Sequence, residues 1–539
     1  MKVYEKVLQY LSLNGVKEIW GVPSATFSPI VDALIDFKDI EYIRTFHEGA
    51  ASFSADKYGK IGEKIGVCLL SGSVGLANAI NGIAEARQYK SPILIIGGQI
   101  NTWQKGLGAI QELSGDKLVG GLVKYTIEIN DEKNVVKELK KAIEIALEHP
   151  RGPVHVEIPL DVQKSEYTGG EYNVINVRDI MPDYNALAKA VNLINSCYNG
   201  LIIVGGGCRG LRNKILSLEE KLNWRIVTTT GGKSVIEETY KLNMGNFGFP
   251  GTDLANKTVL NDNNIECILA LGTQLGENAT QNFNKRLTAG RKLIHIDIDN
   301  QTFNKAYKAD VSAISELGEG LDYLTKHIIP KDINNDISEP LNEPYKDNHT
   351  GVSLRRFYEN ITTILPKDTF YINDIGSSQN FAYKFLKVPK EGDFECNISH
   401  GSMGSSSGAM GISRLFPNRT IAVVVGDGSF FMSNLNELRT HKRYNMNIIT
   451  FVVNNSGLEF VKKGHDIIHS RHPEIMEDET IHITKMVCAM GINAIKINSD
   501  EELFKLKNLY LNNEPLVVEL MVNCSEPMPL GRLALLIKN

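Results

Sequence analysis

The chain has 539 residues, 42% of them hydrophobic and 22% charged, with a formal net charge of -5 and a pI near 6.2. That length calls for about three or four domains, and the lack of a basic stripe argues against nucleic acid as a partner. No apolar stretch approaches the roughly 18 residues of a membrane helix, and an amphipathic helix rather than a leader opens the sequence, so a cytoplasmic multidomain enzyme is expected.

From the N-terminus, alternating patterns predict helix 3–14, strand 17–21, helix 28–36, strand 41–45, helix 49–61, strand 65–70, helix 75–88 and strand 92–96. Gly152 to Gln163 reads as a buried strand leaving this first α/β domain, residues 1–165. A polar linker, Lys164 to Asp183, leads to a second α/β block at 184–328. Its strands are LIIVGGG (Leu201 to Gly207), CILALG ending at Gly272, and KLIHIDID (Lys292 to Asp299). A charged Pro/Asn-rich connector, Pro330 to His349, precedes a third block at 350–539. Alternating β and α in all three predicts an α/β protein of three doubly wound parallel-sheet domains. Seven cysteines (Cys68, Cys197, Cys208, Cys267, Cys396, Cys488, Cys524) are scattered without CxxC spacing, which suits buried thiols in a reducing compartment.

The third block holds the most informative run, VVVGDGSFFMSNLNELRTHKRYNMNIITFVVNNSG. A β-branched strand (Ile421 to Val425) stops at Gly426-Asp427-Gly428, a helical stretch (Asn434 to Arg443) follows, and a second strand (Ile448 to Val453) ends at Asn454-Asn455. Parallel strands of such a βαβ unit would set Asp427 and Asn455 side by side at their carboxyl ends. A carboxylate, an amide oxygen and the Gly457 carbonyl suit octahedral Mg2+ completed by water and diphosphate oxygens. A plain βα turn that uses Gly and Asn for positive φ is the simpler reading of the same residues. The twenty-five residues between GDG and the paired asparagines resemble the thiamine diphosphate motif of the thiamine diphosphate-dependent decarboxylase and acetolactate synthase superfamily. The resemblance implies that Gly426, Asp427, Gly428, Ser429 and Asn455 hold thiamine diphosphate. Mg2+ would then sit on Asp427, Asn455 and Gly457.

Other stretches resemble the same superfamily. Glu48, in IRTFHEGAASFSADKYGK, stands where a strand gives way to a helix opening in small residues. On its own it reads equally as a helix N-terminal acid stabilised by the macrodipole. The resemblance makes it the glutamate that hydrogen-bonds the cofactor's aminopyrimidine and drives proton removal from thiazolium C2. His47 carries no role and is expected to be packed or hydrogen-bonded. In ISHGSMGSSSGAMGIS, Gly401, Ser402 and Met403 match the segment that holds the pyrimidine. The Met403 position there wedges between the cofactor rings, a task for a bulky, adaptable side chain. Gln111-Glu112 matches a Gln-Glu pair of acetolactate synthases and pyruvate oxidases, with the glutamine near the reacting carbon. Asp374-Ile375-Gly376 and the segment Leu458, Phe460, Val461 match as well.

The chain also departs from the pattern. Members of this superfamily sometimes hold FAD in the central domain, and Gly205-Gly206-Gly207, with Asp297 or Asp299 for a ribose, is a candidate dinucleotide turn or a plain βα turn. Flavin-containing synthases carry arginines after the strand ending at Gly272, where this chain has Thr273-Gln274-Leu275-Gly276-Glu277-Asn278. Gly464 stands near the position of a synthase substrate-site tryptophan, Ser73-Val74 replace a usual Gly-Pro, and Pro23-Ser24-Ala25 replace a usual Pro-Gly-Gly. The expectation is decarboxylation of a 2-keto acid, pyruvate first, with carboligation to an acetolactate-type product. The rivals are an FAD-dependent pyruvate oxidase-type oxidoreductase and a decarboxylase or carboligase acting on another acid. A homodimer or homotetramer with active sites between subunits is implied.

Overall fold

The computed structural model describes residues 1–177, 180–337, 339–345, 350–508, 514–522 and 525–537. Cys524 and parts of the expected linker and connector (178, 179, 338 and 346–349) lie outside them.

The first sheet contains β1 (Glu18–Gly21), β2 (Glu41–Arg44), β3 (Gly66–Ser71), β4 (Ile93–Gln99), β5 (Tyr125–Glu128) and β6 (Val154–Pro159). The second contains β7 (Gly200–Val204), β8 (Arg225–Thr228), β9 (Asn243–Asn246), β10 (Cys267–Leu271), β11 (Lys292–Asp297) and β12 (Val311–Ile314). The third contains β13 (Phe370–Asn373), β14 (Asp393–Glu395), β15 (Ile421–Gly426), β16 (Ile448–Asn454), β17 (Asn493–Ile497) and β18 (Leu516–Met521). Pairing is parallel throughout, and central strands such as β3, β4 and β16 are buried along their whole length. That is why they read as continuous apolar runs rather than as alternating ones: helices cover both faces.

The first sheet has the order β2-β1-β3-β4-β6-β5 and the third β14-β13-β15-β16-β18-β17. Counted within each domain, these are the same topology. The middle sheet, β12-β11-β10-β7-β8-β9, has instead the nucleotide-fold order 3-2-1-4-5-6. In each sheet the strand order reverses beside the domain's first strand: between β1 and β3, between β7 and β10, and between β13 and β15. Ligands of open α/β sheets bind at the carboxyl side of that reversal.

One hydrophobic core runs through the first and third domains, joining Trp20, Ile43 and Ala51 to Ile412, Val423 and Phe430. Small residues make the joint. The helix Glu48–Gly62 (EGAASFSADKYGKIG) crosses the helix Ala409–Leu415. A methyl group at Gly411 would lie 2.1 Å from the Ser54 carbonyl oxygen, and one at Gly408 2.6 Å from that of Phe53. Gly408 and Gly411 therefore serve close backbone packing between the two helices. The expected helix 28–36 is shorter, Ser28–Ala33, and the expected helix from Asn434 begins at Leu435 after a π-helical turn, Phe430–Asn434.

Candidate functional site

β15 and β16 pair in register from Ile421↔Ile448 to Gly426↔Val453, so the two halves of the GDG…NN run end together. The Asp427 carboxylate, 7% exposed, closes the gap. Its Oδ1 accepts the Gly428 N–H at 2.8 Å, and Oδ2 accepts those of Asn455, Ser456 and Gly457 at 3.1, 2.8 and 3.3 Å. Burial pushes its pKa up while these four backbone donors pull it down. Gly457, at φ 155°, must be glycine, because a methyl there would meet the Met476 carbonyl oxygen at 2.5 Å. Among the described residues no group of three or more His, Cys, Asp or Glu side chains is placed to hold a metal. A cation at this strand end would rely on one carboxylate, the Asn455 amide and the Gly457 carbonyl, a hard-oxygen set that suits Mg2+ and leaves positions for ligand phosphates.

Gly426 tests whether a ligand fits. Its φ of -71° and ψ of 157° are open to any residue, and a methyl added there meets nothing within 4 Å. Neither backbone nor packing requires glycine here, so the open space it preserves is a cradle that a side chain would fill. At Gly428, by contrast, a methyl would lie 3.0 Å from Leu458 Cδ2 and 3.4 Å from Met403 Cε. Met403 and Leu458 thus converge over the GDG turn.

The Met403 loop is anchored by Asp374, a fully buried acid at the end of β13. Its carboxylate accepts the N–H groups of Ile375 (2.7 Å), Gly404 (3.0 Å) and Ser406 (3.2 Å) and the Ser406 hydroxyl (2.5 Å). Positive φ at Gly401 (72°) and Gly404 (86°) bends the chain around it. Ser402 accepts from Asn81 Nδ2 of the first domain at 2.5 Å, and its hydroxyl lies 3.1 Å from the Met403 carbonyl oxygen. Ser429 is buried beside Asp427.

Glu48 is the first residue of its helix, half-buried. Its Oε2 accepts from Asn78 Nδ2 at 3.0 Å, and a methyl on Gly75 would lie 3.3 Å from Oε1. His47 caps the same helix, Nδ1 accepting the Gly49 N–H at 3.0 Å. Within one chain the described residues show no bond joining Glu48 to Asp427. Gln111 is exposed at φ 67° on a loop that Glu112 ties down through the N–H groups of Gly108 and Ala109. That loop also exposes Trp103, Leu107 and Ile110, the last at 90%. The sequence resemblance marks Asp374 only as part of a matched turn and marks neither Asn78 nor Glu437. An acid at a strand end shortly before a glycine could have found Asp374, and an Asn four residues into a helix that packs on Glu48 could have found Asn78.

At the reversal of the middle sheet the glycine turn is filled by backbone. A methyl at Gly205 would lie 2.1 Å from the Gly272 carbonyl oxygen, and one at Gly206 2.9 Å from that of Gly231. Only a 3-10 turn, Gly206–Cys208, follows directly, and the next α-helix starts at Arg212, so the glycines do not open onto an α-helix N-terminus. Asp299 pairs with Lys90 of the first domain at 2.5 Å, and Asp297 accepts the Asp299 N–H at 2.9 Å. The residues expected for a dinucleotide are engaged with protein groups.

Three family models match in order: the N-terminal TPP binding domain of thiamine pyrophosphate enzymes at 1–118, their central domain at 187–324 and their C-terminal TPP binding domain at 374–520. The "probable acetolactate synthase large subunit" of Methanocaldococcus jannaschii is 28% identical, over 98% of this chain and 93% of its own. The acetolactate synthase isozyme 3 large subunit of Escherichia coli K12 is 26% identical, over 97% of this chain and 95% of its own. A thiamine diphosphate-dependent 4-hydroxybenzoylformate decarboxylase of Rhodococcus jostii RHA1 superposes with a TM-score of 0.86 at 19% identity, covering 97% of this chain and 99% of that one.

Proposed function

Since the chain belongs to the thiamine pyrophosphate enzymes and resembles their acetolactate synthase members, we propose that it decarboxylates a 2-keto acid, pyruvate first, and joins the remaining fragment to a second carbonyl compound. The observation that carries this reading is the open strand-end cradle at Gly426, with Asp427 holding the 455–457 backbone and Met403 over Gly428.

Thiamine diphosphate, when bound, supplies the acidic carbon and the electron sink. Asp427, Asn455 and the Gly457 carbonyl would hold Mg2+ and through it the diphosphate. Gly401, Ser402 and Met403 would hold the pyrimidine, with Met403 setting the cofactor's bend by bulk. Glu48, oriented by Asn78, would hold and pass the proton at the pyrimidine nitrogen. Gln111 would face the substrate. Its loop bares Trp103, Leu107 and Ile110, apolar surface suited to a subunit contact. This favours a homodimer or homotetramer in which Glu48 of one subunit serves the cofactor held by Asp427 of another. No helix among the described residues is long and apolar enough to cross a membrane, and the six described cysteines are free, which supports a cytoplasmic setting.

The test is an oxygen electrode beside a product assay, with pyruvate, thiamine diphosphate and Mg2+, with and without FAD. Carbon dioxide and a hydroxy-keto acid without oxygen uptake are expected. FAD-dependent oxygen uptake with acetate or acetyl phosphate would overturn the reading in favour of an oxidase. A second reading, the same chemistry on a different 2-keto acid, is favoured by Gly464, beside which Leu533 of the C-terminal segment packs (3.4 Å from an added methyl). It predicts silence with pyruvate and carbon dioxide from a bulkier 2-keto acid.

A further inference from the structure

The connection from β2 into the Glu48 helix is held from outside its own domain. The helix Leu435–Arg443 of the third domain, with the turn that ends it, lays Glu437, Thr440 and Tyr444 along residues 42–47. Glu437 Oε1 accepts the N–H groups of Phe46 at 2.9 Å and His47 at 3.1 Å. The Thr440 hydroxyl lies 2.7 Å from Glu437 Oε2 and 3.2 Å from the Arg44 carbonyl oxygen. The Tyr444 hydroxyl accepts the Arg44 N–H at 2.9 Å and donates to the Tyr42 carbonyl at 3.0 Å. The Arg439 guanidinium stands 4.7 Å from the centre of the Phe46 ring.

Spacing of i, i+3 and i+7 puts the three hydrogen-bonding residues on one helix face. β2 is the edge strand of its sheet, so its outward backbone groups would otherwise lack partners. The clamp's hydrogen bonds to this segment therefore all go to main chain, and they stop at the residue before Glu48. Glue between domains does not need an acid. A buried carboxylate carries a desolvation cost that apolar packing avoids. Glu437, fully buried and with its pKa pushed up to about 7 by that burial, spends its hydrogen bonds on the two amides that set the start of the Glu48 helix. His47 then fixes the next turn through its ring. The same third-domain helix follows directly on the Asp427 turn, through Phe430–Asn434, so one rigid element touches both the diphosphate motif and the Glu48 connection.

We propose that Glu437, supported by Thr440 and Tyr444, is a positioning residue for Glu48. It fixes the height and direction of the helix start from which the proton-relay carboxylate projects. This rests on the reading of Glu48 as that acid.

The full chain with thiamine diphosphate and Mg2+ is compared as wild type, Glu437→Ala, Glu437→Gln and Glu48→Gln. Three quantities are read: amide exchange of the 42–49 peptide, hydrogen–deuterium exchange at cofactor C2, and cofactor affinity. Glu437→Ala should speed exchange at Phe46 and His47 and slow C2 exchange by about tenfold, with affinity within about twofold of wild type. Glu437→Gln keeps an acceptor oxygen toward both amides and should restore both rates. Wild-type C2 exchange in folded Glu437→Ala overturns the proposal. So does a Gln variant no better than Ala, or affinity falling in step with the C2 rate. If Glu437→Ala does not fold, Thr440→Val and Tyr444→Phe carry the same test with smaller expected effects. Should Glu48→Gln leave C2 exchange unchanged, the proton-relay reading fails by itself. The amide exchange of 46–47 then decides whether the clamp exists.

Discussion

Gly426→Ala separates a residue kept for the fold from one kept for a ligand. The position has φ -71° and ψ 157°, and the added methyl meets nothing within 4 Å. Nothing in the protein resists the change, and lowering the entropy of the unfolded chain should leave stability unchanged or raise it by about 0.4–1 kcal/mol. The methyl does, however, occupy the space above the strand end that a diphosphate would use. Crowding of that kind costs roughly 1–3 kcal/mol, or about 5- to 150-fold in affinity at 1.4 kcal/mol per tenfold. Titration calorimetry with thiamine diphosphate and Mg2+, beside thermal denaturation without them, reads both quantities. A variant as stable as wild type but weak in cofactor binding is expected. Unchanged affinity would mean that the cradle is not where the diphosphate lies, and the site would have to be sought elsewhere.

Met403→Ala should lower turnover more than Met403→Leu, because the proposed role is bulk; equal turnover in the two would reduce Met403 to a packing residue. Asp374→Ala orphans the Gly404 and Ser406 donors and should cost roughly 3–5 kcal/mol, with Asn costing less, as read by denaturant unfolding. His441 is fully buried with neither ring nitrogen hydrogen-bonded, and burial pushes its pKa down to about 3. A base depressed on folding contributes stability that is complete above its unfolded pKa, near 6.5, and is lost as pH falls toward the folded value. Between about pH 7 and 5 wild type should lose about 2 kcal/mol relative to His441→Leu. Parallel pH profiles for the two would contradict that.

How much of this was legible depends on the reach of each interaction. Strand and helix patterns in the first domain are local, and β1, β3, β4 and the Glu48 helix fall within a few residues of their expected places. The GDG…NN run was legible because both halves are strand ends, and the register Gly426↔Val453 follows from a short βαβ crossover. The π-helical turn at Phe430–Asn434 was not, since a helix period carries no mark of one extra residue. In the middle domain the glycines left two readings open. Gly205-Gly206-Gly207 resembles a phosphate turn, yet its space is taken by Gly231 and Gly272, which lie far off in sequence. The clamp on residues 42–47 joins positions some 400 apart, and no local pattern could announce it.

The reversals beside the first strand of each sheet differ in what stands at them, and that difference supports the proposed placement of the diphosphate. Each has a glycine at a strand end beside it. At β1, a methyl on Gly21 would meet the Leu69 carbonyl oxygen at 2.1 Å and the Tyr42 hydroxyl at 2.6 Å. At β7, a methyl on Gly205 would meet the Gly272 carbonyl oxygen at 2.1 Å. At both glycines the protein's own atoms, a backbone carbonyl first among them, take the space beside the strand end. Beside β13 and β15, methyls on Gly376 and Gly426 would meet nothing within 4 Å. The first and third domains share one topology, so strand order alone does not decide which of them opens. What differs is the occupant of the reversal: backbone in the first, open space bordered by Asp374 and Asp427 in the third. A domain whose strand end is filled in this way can still offer an acid from the helix start beside it, and Glu48 stands at such a start, after the edge strand β2. The division of labour proposed for this site, diphosphate on the third domain and proton relay from the first, follows from that difference between two sheets of the same order.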